Sequence, residues 1–545
     1  MDKHLLDIKY KIKHRAPFLV VLCFLVICAF AETPSFSKQK RKKPERSTKD
    51  IVLKKAVTMY QPSDKSPIVL IDSVILYHDG ATMYCDSALL DEGKNTFEAF
   101  GRVKIKQGDT LTLTGDYMFY DGVYRLAKVR RNVVLEDKKA KMTLFTDSLN
   151  FDRMMNIAYY FDGGMVVDPE NELTSAWGQY EPNLKLATFR DSVKLVNPKF
   201  VIHSDTLQYN PVTHQTTILG PSVVESDSGT IYTSRGWYNT TTEESMLLDQ
   251  SLVVNKAKTE FLIGDTIFFN RLKSIADVYG NMILQDTLRK VIVKGDRGHY
   301  DGGLRYAWTT KKAEAMEYSQ KDTLYLHADS LQMTPDSTFS RLKAFHNGRF
   351  YRIDIQGVGD SIQYNSRDSV MHLFRRAVVW NANNQIAGDT IHVFRKDSTV
   401  DHMIVKQDAY IMEQIDSLKY NQLKGRTIYA YMDGKELRHV LVNGNAESIF
   451  YPQEKDKSFI GHNQTESSFL TIDFENKKVK KLKLWPSPTA TMTPLPELKP
   501  EMLRLSNLFW LDYLRPLNKD DIFREIKRKK ADVPPKHSKR FYSDE

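Results

Sequence analysis

At intervals of 27 to 33 residues this chain repeats one short pattern: an aspartate, a small or hydroxylated residue, an aliphatic, a spacer and an aromatic. Ten copies run from Asp86 to Asp416, and two degenerate ones begin at Ala176 and Ser234, with Tyr180 and Tyr238 in the aromatic place. Asp147-Ser148-Leu149-Asn150-Phe151 and Asp205-Thr206-Leu207-Gln208-Tyr209 are the clearest. A fixed period sustained over about 330 residues specifies stacked units, each burying its apolar face only against its neighbours. Function in such a chain belongs to the continuous surface of the stack.

Side chains alternate along a strand, so positions 2 and 4 of the motif share one face and the Ser/Thr at position 1 points away. The aspartate is expected at a strand start, often after glycine (Gly115, Gly264, Gly295, Gly359, Gly388), capping turn amides. A polar turn such as Asn210-Pro211-Val212-Thr213 follows, then a second strand. A break at Gly, Asn or Asp comes 16 to 18 residues after most of the aspartates, and a β-branched run such as Val103-Lys104-Ile105 closes the unit. Connections this short predict a largely antiparallel ladder. Leu498, Met502, Leu505, Phe509 and Tyr513 fall at helical spacing and predict a helix or an ordered cap near 498–514.

The ends read differently from the body. Lys9, Lys11, Lys13 and Arg15 precede an apolar run from Phe18 to Phe30, and Ala29-Phe30-Ala31 supplies a cleavage site. That run is shorter than the roughly 20 residues a membrane span takes, so 1–31 reads as a signal peptide, with an uncleaved anchor as the alternative. After cleavage only Cys85 remains, expected as a small buried residue. The net charge of +10 sits in the ends: residues 1–31 carry +3, 32–49 carry +5 and 519–545 carry +3, leaving −1 for 50–518. A neutral body excludes nucleic-acid binding; the basic ends suit anionic lipid or sugar headgroups.

Catalytic patterns dissolve into the repeat. Gly359-Asp360-Ser361-Ile362 resembles the nucleophile block of GDSL-type esterases, and Asp296-Arg297-Gly298-His299 and Asp389-Thr390-Ile391-His392 have a matching Asp-to-His spacing. Each is one more copy of the motif, and other copies carry Asp-Ser without histidine, so the reading is non-enzymatic. The scattered histidines and the missing Gly-Gly-x-Gly-x-Asp spacing give no support to a metal site or a cofactor.

The ladder of Asp-Ser/Thr-Leu-x-Tyr strands with Gly-x-Val-x-Ile returns resembles the OstA-like (LptA-type) lipopolysaccharide-transport family over about residues 65–480. Ala328-Asp329-Ser330-Leu331, the run Leu423 to Tyr431, and Gly444-Asn445-Ala446-Glu447 carry the likeness. It implies an elongated, partly open β-jellyroll, or β-taco, of about twelve repeats whose apolar groove shelters lipid acyl chains in the periplasm. The expected organisation is a signal peptide (1–31), a basic linker (32–60), two jellyrolls (61–245 and 246–485) and a Pro-rich, basic tail with a short helix (486–545).

The expected groove stripe is Leu149 and Phe151, Leu207 and Tyr209, Ile267 and Phe269, Ile362 and Tyr364, Leu418 and Tyr420. It is core if the sheet closes and a lipid path if the sheet stays open. The expected partners are lipopolysaccharide or a related glycolipid, and other jellyroll components joined by edge-strand pairing at Ile68–Ile71 and Val74–Tyr77. Alternatives are a structural or adhesive β-solenoid without a lipid and an outer-membrane barrel. Lys104, Lys106, Arg130, Arg131 and Lys185 at outward positions oppose the barrel, because a lipid-facing charge costs about 2–4 kcal/mol at mid-membrane.

Overall fold

The computed structural model describes residues 49–532, apart from residues 305, 320, 336–339, 366, 397–398, 434–435, 455, 457 and 476–477. The expected signal peptide, the linker up to residue 48 and the tail beyond 532 lie outside the described residues. What is described is a 36-stranded sheet in which every pairing is antiparallel. Ile68–His78 pairs with Ala81–Asp91, that strand with Thr96–Gln107, and so on in chain order to His462–Glu475. No described helix is long and apolar enough to cross a membrane.

Each long strand bends once near its middle. Phe100 pairs with Tyr117 and Val103 with Gly115, so Gly101 and Arg102 together face Asp116, a β-bulge of two residues against one. Both bulge residues are left-handed (φ 73° and 43°), and the same pair recurs at Arg131–Asn132, Gly280–Asn281, Lys311–Lys312 and Arg375–Arg376. The bulges fall where the sequence predicts its break. Stacked in register, they fold the ladder along one corner into two walls. Wall A contains Val74–His78 and the segments paired outward from it; wall B contains Ile68–Ile71 and its partners.

The motif aspartate is not at a strand start. Apart from Asp416, which caps a turn, it lies mid-strand at the corner, and several copies pair with the bulge of a neighbouring strand. Asn132 Nδ2 donates to Asp116 at 2.7 Å and Asn281 Nδ2 to Asp265 at 2.7 Å, while Arg102 reaches Asp86 at 2.8 Å. A Cβ on Gly101 would stand 2.5 Å from the Asp86 carboxylate, so glycine is needed there for close approach as well as for its φ. A second set of Asp and Asn caps the turns: Asn210 Oδ1 accepts from the amides of Val212 and Thr213.

The interior between the walls is three clusters in sequence. The first runs from Ile51 to Tyr209, a small one holds Leu247, Ile267, Val278 and Met282, and the third runs from Val293 to Leu470. Between the first two the inward positions turn small and hydroxylated, at Thr216, Ser222, Thr233, Ser245 and Ser251. Cys85 is buried as expected, which pushes its thiol up to about 12, with the Asp86 charge adding to the rise.

One expectation needs correction here, and one is decided between its alternatives. Ile68–His78 is not the terminal edge, because Val52–Lys55 and Thr58–Tyr60 pair along it and satisfy its outer amides. Residues 498–514 form an ordered cap that is helical only in the short 3₁₀ turns Pro500–Leu503 and Asp512–Leu514. The buried positions there are Leu505, Leu508, Leu511 and Leu514, a period of three that a nearly extended strap presents and an α-helix does not.

That strap runs back along the outer face of wall A. Buried Gln422 donates to the Leu503 carbonyl and accepts from the Leu505 amide; buried Gln385 does the same with Phe509 and Leu511. Each glutamine thus mimics one backbone bridge, and together they hold the strap in register across the strands. Trp380, Tyr410, Met412 and Tyr451 are sealed beneath it.

Candidate functional site

Position 4 of the motif lies toward the end of each wall B segment, at the mouth of the fold opposite the corner. Its aromatic is flanked by small side chains on both neighbouring strands: Phe151 by Ala127 and Ala158, Tyr209 by Ala187 and Thr216, Phe269 by Ser245 and Ala276. Large against small lets each ring reach across toward wall A.

In the N-terminal section these rings close the mouth. Tyr120 bonds His78 Nδ1 of wall A at 2.8 Å. The Lys49 carbonyl, 3.0 Å from His78 Nε2, can only accept, so Nε2 carries the proton and the Tyr120 hydroxyl donates to Nδ1. Arg153 crosses from wall B to the carbonyls of His78 and Asp79. Tyr180 donates to Asp137 at 2.8 Å, and Lys185 pairs with the same carboxylate. Tyr209 donates to Asp168 and accepts from Asn171 Nδ2 at 2.8 Å. These clasps share one offset, 42, 43 and 41 residues from tyrosine back to partner. The row ends with Phe200 edge-on to Tyr238 at 4.8 Å and an ion pair between Lys199 and Glu243.

The electrostatics follow from burial. Desolvation lowers the His78 imidazole below its ordinary value and raises the Tyr180 and Tyr209 phenols, the neighbouring carboxylates adding to that rise. Burial alone would raise Asp137, but Lys185, the Ala140 amide and Tyr180 together outweigh it and hold the carboxyl below its usual range.

From Tyr238 onward the mouth has no such clasp among the described residues. Phe269 and Tyr364 are half-buried, and Tyr300 is 46% exposed. Phe269 has no hydroxyl, and those of Tyr300 and Tyr364 find no partner among the described residues. By contrast Phe151, Tyr180 and Tyr209 retain 2% exposure or less.

The expected stripe therefore divides. Leu149, Phe151, Leu207 and Tyr209 lie in the closed interior; Ile267 and Ile362 are buried at the base of the open section, with Phe269 and Tyr364 at its mouth. Leu418 and Tyr420 do not belong to the stripe. Asp416 caps a turn, bonding the amides of Leu418 and Lys419; Leu418 is 70% exposed, and Tyr420 lies under the strap beside Trp510. The strand that follows supplies the equivalent positions as Ile428 and Ala430, both fully buried.

The esterase-like pairs do not assemble. Ser361 donates to its own neighbour Asp360 at 3.2 Å, His299 bonds Asp277 rather than Asp296, and His392 meets His372 at 2.6 Å. The clasp partners His78, Asp137 and Asp168 escape the sequence reading because they sit in or beside turns three strands back along the ladder from their tyrosines.

A two-walled antiparallel ladder with a corner of bulges and an apolar interior defines a class of repeat β-jellyroll. Residues 48–205 match the family model of the OstA-like proteins, and 318–399 that of the LptA/(LptD N-terminal domain) LPS transport proteins. Both matched segments point to the OstA-like, LptA-type lipopolysaccharide-transport proteins, and together they span 240 of the 545 residues (158 and 82). Among solved structures it is similar to LptH of Pseudomonas aeruginosa, described as the LptA-homologous periplasmic component of the lipopolysaccharide transport device. That similarity is 16% identity over 24% of this chain and 76% of the other, with a TM-score of 0.13. No curated protein matches.

Proposed function

We propose that the chain is a periplasmic bridge component that carries lipopolysaccharide toward the outer membrane, its acyl chains held between the two walls. The family match supports a lipopolysaccharide-transport component. The observation that carries the finer reading is the change at Tyr238, where apolar rings that are sealed upstream become half-open downstream. Acyl chains would lie against Ile267, Phe269, Tyr300, Ile362 and Tyr364. Leu149, Phe151, Leu207 and Tyr209 would meet lipid only when the clasps open. The two-jellyroll division, 61–245 and 246–485, fits this change in character. Bridge partners would add strands at the short N-terminal edge, where Val52, Met59 and Tyr60 are exposed, or at Lys478–Trp485, where Leu482 and Trp485 are exposed.

A photo-crosslinking amino acid at Phe269, Tyr300 or Tyr364 should capture glycolipid in cells, and the same group at Phe151 should not. Folded protein that captures no lipid at any of the open positions would instead favour a solenoid without a ligand.

A further inference from the structure

Outside the channel, on the outer face of wall A, the strap leaves a cleft of about 1490 Å³ between its segment 514–530 and the corner of the strands from Ile275 to Asn381. Interior Leu326 and Ala328 flank His327, which points the opposite way and packs on Phe523 of the strap at 4.6 Å. The cleft is therefore separate from the space between the walls.

Its lining holds ten Lys and Arg against five Asp and Glu. Some of these are paired within the cleft, as Lys294 with Glu314 and Arg375 with Asp360. The excess is concentrated in like-charged neighbours. Arg349, only 7% exposed, donates to the Leu514 carbonyl, while its buried Nε has no partner. Burial and the nearby Arg524 both disfavour its charge. Arg528 donates to the Arg376 backbone carbonyl, both residues line the cleft, and burial and the Arg376 charge disfavour the Arg528 charge. Lys311 and Lys312 occupy a bulge on the same lining.

Cations held together in a partly dry cleft, one with an orphaned donor, are stabilised by an anion that returns their lost hydrogen bonds. Guanidinium forks match phosphate oxygens two at a time, and several such groups spread over one cleft match several phosphates. We infer that this cleft is a binding site for a ligand bearing clustered phosphate groups, either a soluble polyphosphate or the phosphorylated headgroup of a glycolipid presented at a membrane surface.

The test uses the full mature chain. Binding of myo-inositol hexakisphosphate is measured by calorimetry at several salt concentrations. In parallel, co-sedimentation is measured with phosphatidylcholine vesicles doped with a diphosphorylated glycolipid, and with the same lipid dephosphorylated. Wild-type protein should bind the soluble probe, more weakly as salt rises. Arg376→Gln/Arg528→Gln and, independently, Lys311→Ala/Lys312→Ala should each weaken binding about tenfold. Lys104→Ala/Lys106→Ala, at a different surface, should leave it unchanged. Vesicle binding that needs the phosphates and falls in the same variants assigns the ligand to a lipid headgroup. Binding of the soluble probe alone assigns it to a free polyphosphate. Absence of both, binding indifferent to the cleft variants, or equally tight binding of polyglutamate would overturn the inference.

Discussion

The stretch from Ile68 to Asn210 and the stretch from Gly229 to Asn365 share one repeat, one corner and one antiparallel register, yet they differ at the mouth. In the first, a tyrosine hydroxyl from wall B finds a histidine or carboxylate on wall A in every second or successive unit. In the second, a ring remains at Tyr238, Phe269, Tyr300 and Tyr364, but none has such a partner among the described residues. Position 2 of the motif is buried in both stretches, at Leu149, Leu207, Ile267 and Ile362. The base of the fold is therefore the same structure throughout, and opening is governed by the fourth position and by what faces it 41 to 43 residues earlier. A ladder of this kind can hold a closed segment and an open one without changing its backbone.

The strongest way to break this comparison is to place one charge in both stretches. Phe151→Asp puts a carboxylate into a closed interior between Ala127 and Ala158 with no cation to meet it. It should cost about 5 kcal/mol or more and leave little folded protein. Phe269→Asp, at a half-open position, should cost about 2 kcal/mol or less, because its carboxylate can turn to solvent. Urea unfolding followed by circular dichroism measures both. Equal losses would mean that the two stretches are equally closed.

Much of the corner was legible in the sequence, and the mouth was not. Aspartates paired with a Gly or Asn about sixteen residues on mark the bulges, as Asp116 with Asn132 and Asp265 with Asn281 show. The aspartate looked like a strand start because the inward face changes parity there: Leu111 and Leu113 point in before Asp116, Met118 and Tyr120 after it. A bend that shifts the alternation by one reads as a boundary. The clasps were hidden because they join turns to strands far apart in the chain. Gln385 and Gln422 were hidden because a glutamine on an outward position looks solvated until a strap covers it. The strap itself was read at helical spacing, although Leu505, Leu508, Leu511 and Leu514 repeat every third residue.

A milder change removes one clasp without adding charge. Tyr180→Phe keeps the ring between Ala158 and Ala187 and takes away one of the groups that hold buried Asp137 ionised. Losing a partner of a buried carboxylate should cost about 1–3 kcal/mol, with Lys185 limiting the damage. Tyr300→Phe removes a hydroxyl that has no partner among the described residues and should stay within about 0.5 kcal/mol of the parent. A photo-crosslinker at Phe151 in the Tyr180→Phe background is the sharper readout: capture of lipid there would show that the clasps, rather than the packing, keep lipid out of the N-terminal stretch.

The smallest effect is a pH dependence with two sources, His78 in the first stretch and His392 in the ladder beyond the second. His78 is held neutral by burial, accepting from Tyr120 while donating to the Lys49 carbonyl. His392, beside His372 and desolvated with it, is lowered to about 4. For a histidine whose folded pKa lies below its ordinary 6.5, the unfolded chain takes up the proton first as pH falls. Stability is then complete above pH 6.5 and declines below it; for His392 the decline continues to about pH 4. Protonating His78 also removes the lone pair that Tyr120 donates to, so acid should loosen the clasp before it unfolds the ladder. Hydrogen exchange between pH 7 and about 5 should therefore show faster opening around Tyr120 than around Tyr209, whose clasp contains no histidine. His392→Gln should flatten the acid limb of global stability and leave the Tyr120 exchange untouched, and His78→Gln should do the reverse. Matching responses in the two variants would show that the Tyr120 clasp and the ladder beyond Asn365 open as one unit, and a clasp that opens on its own would then be ruled out.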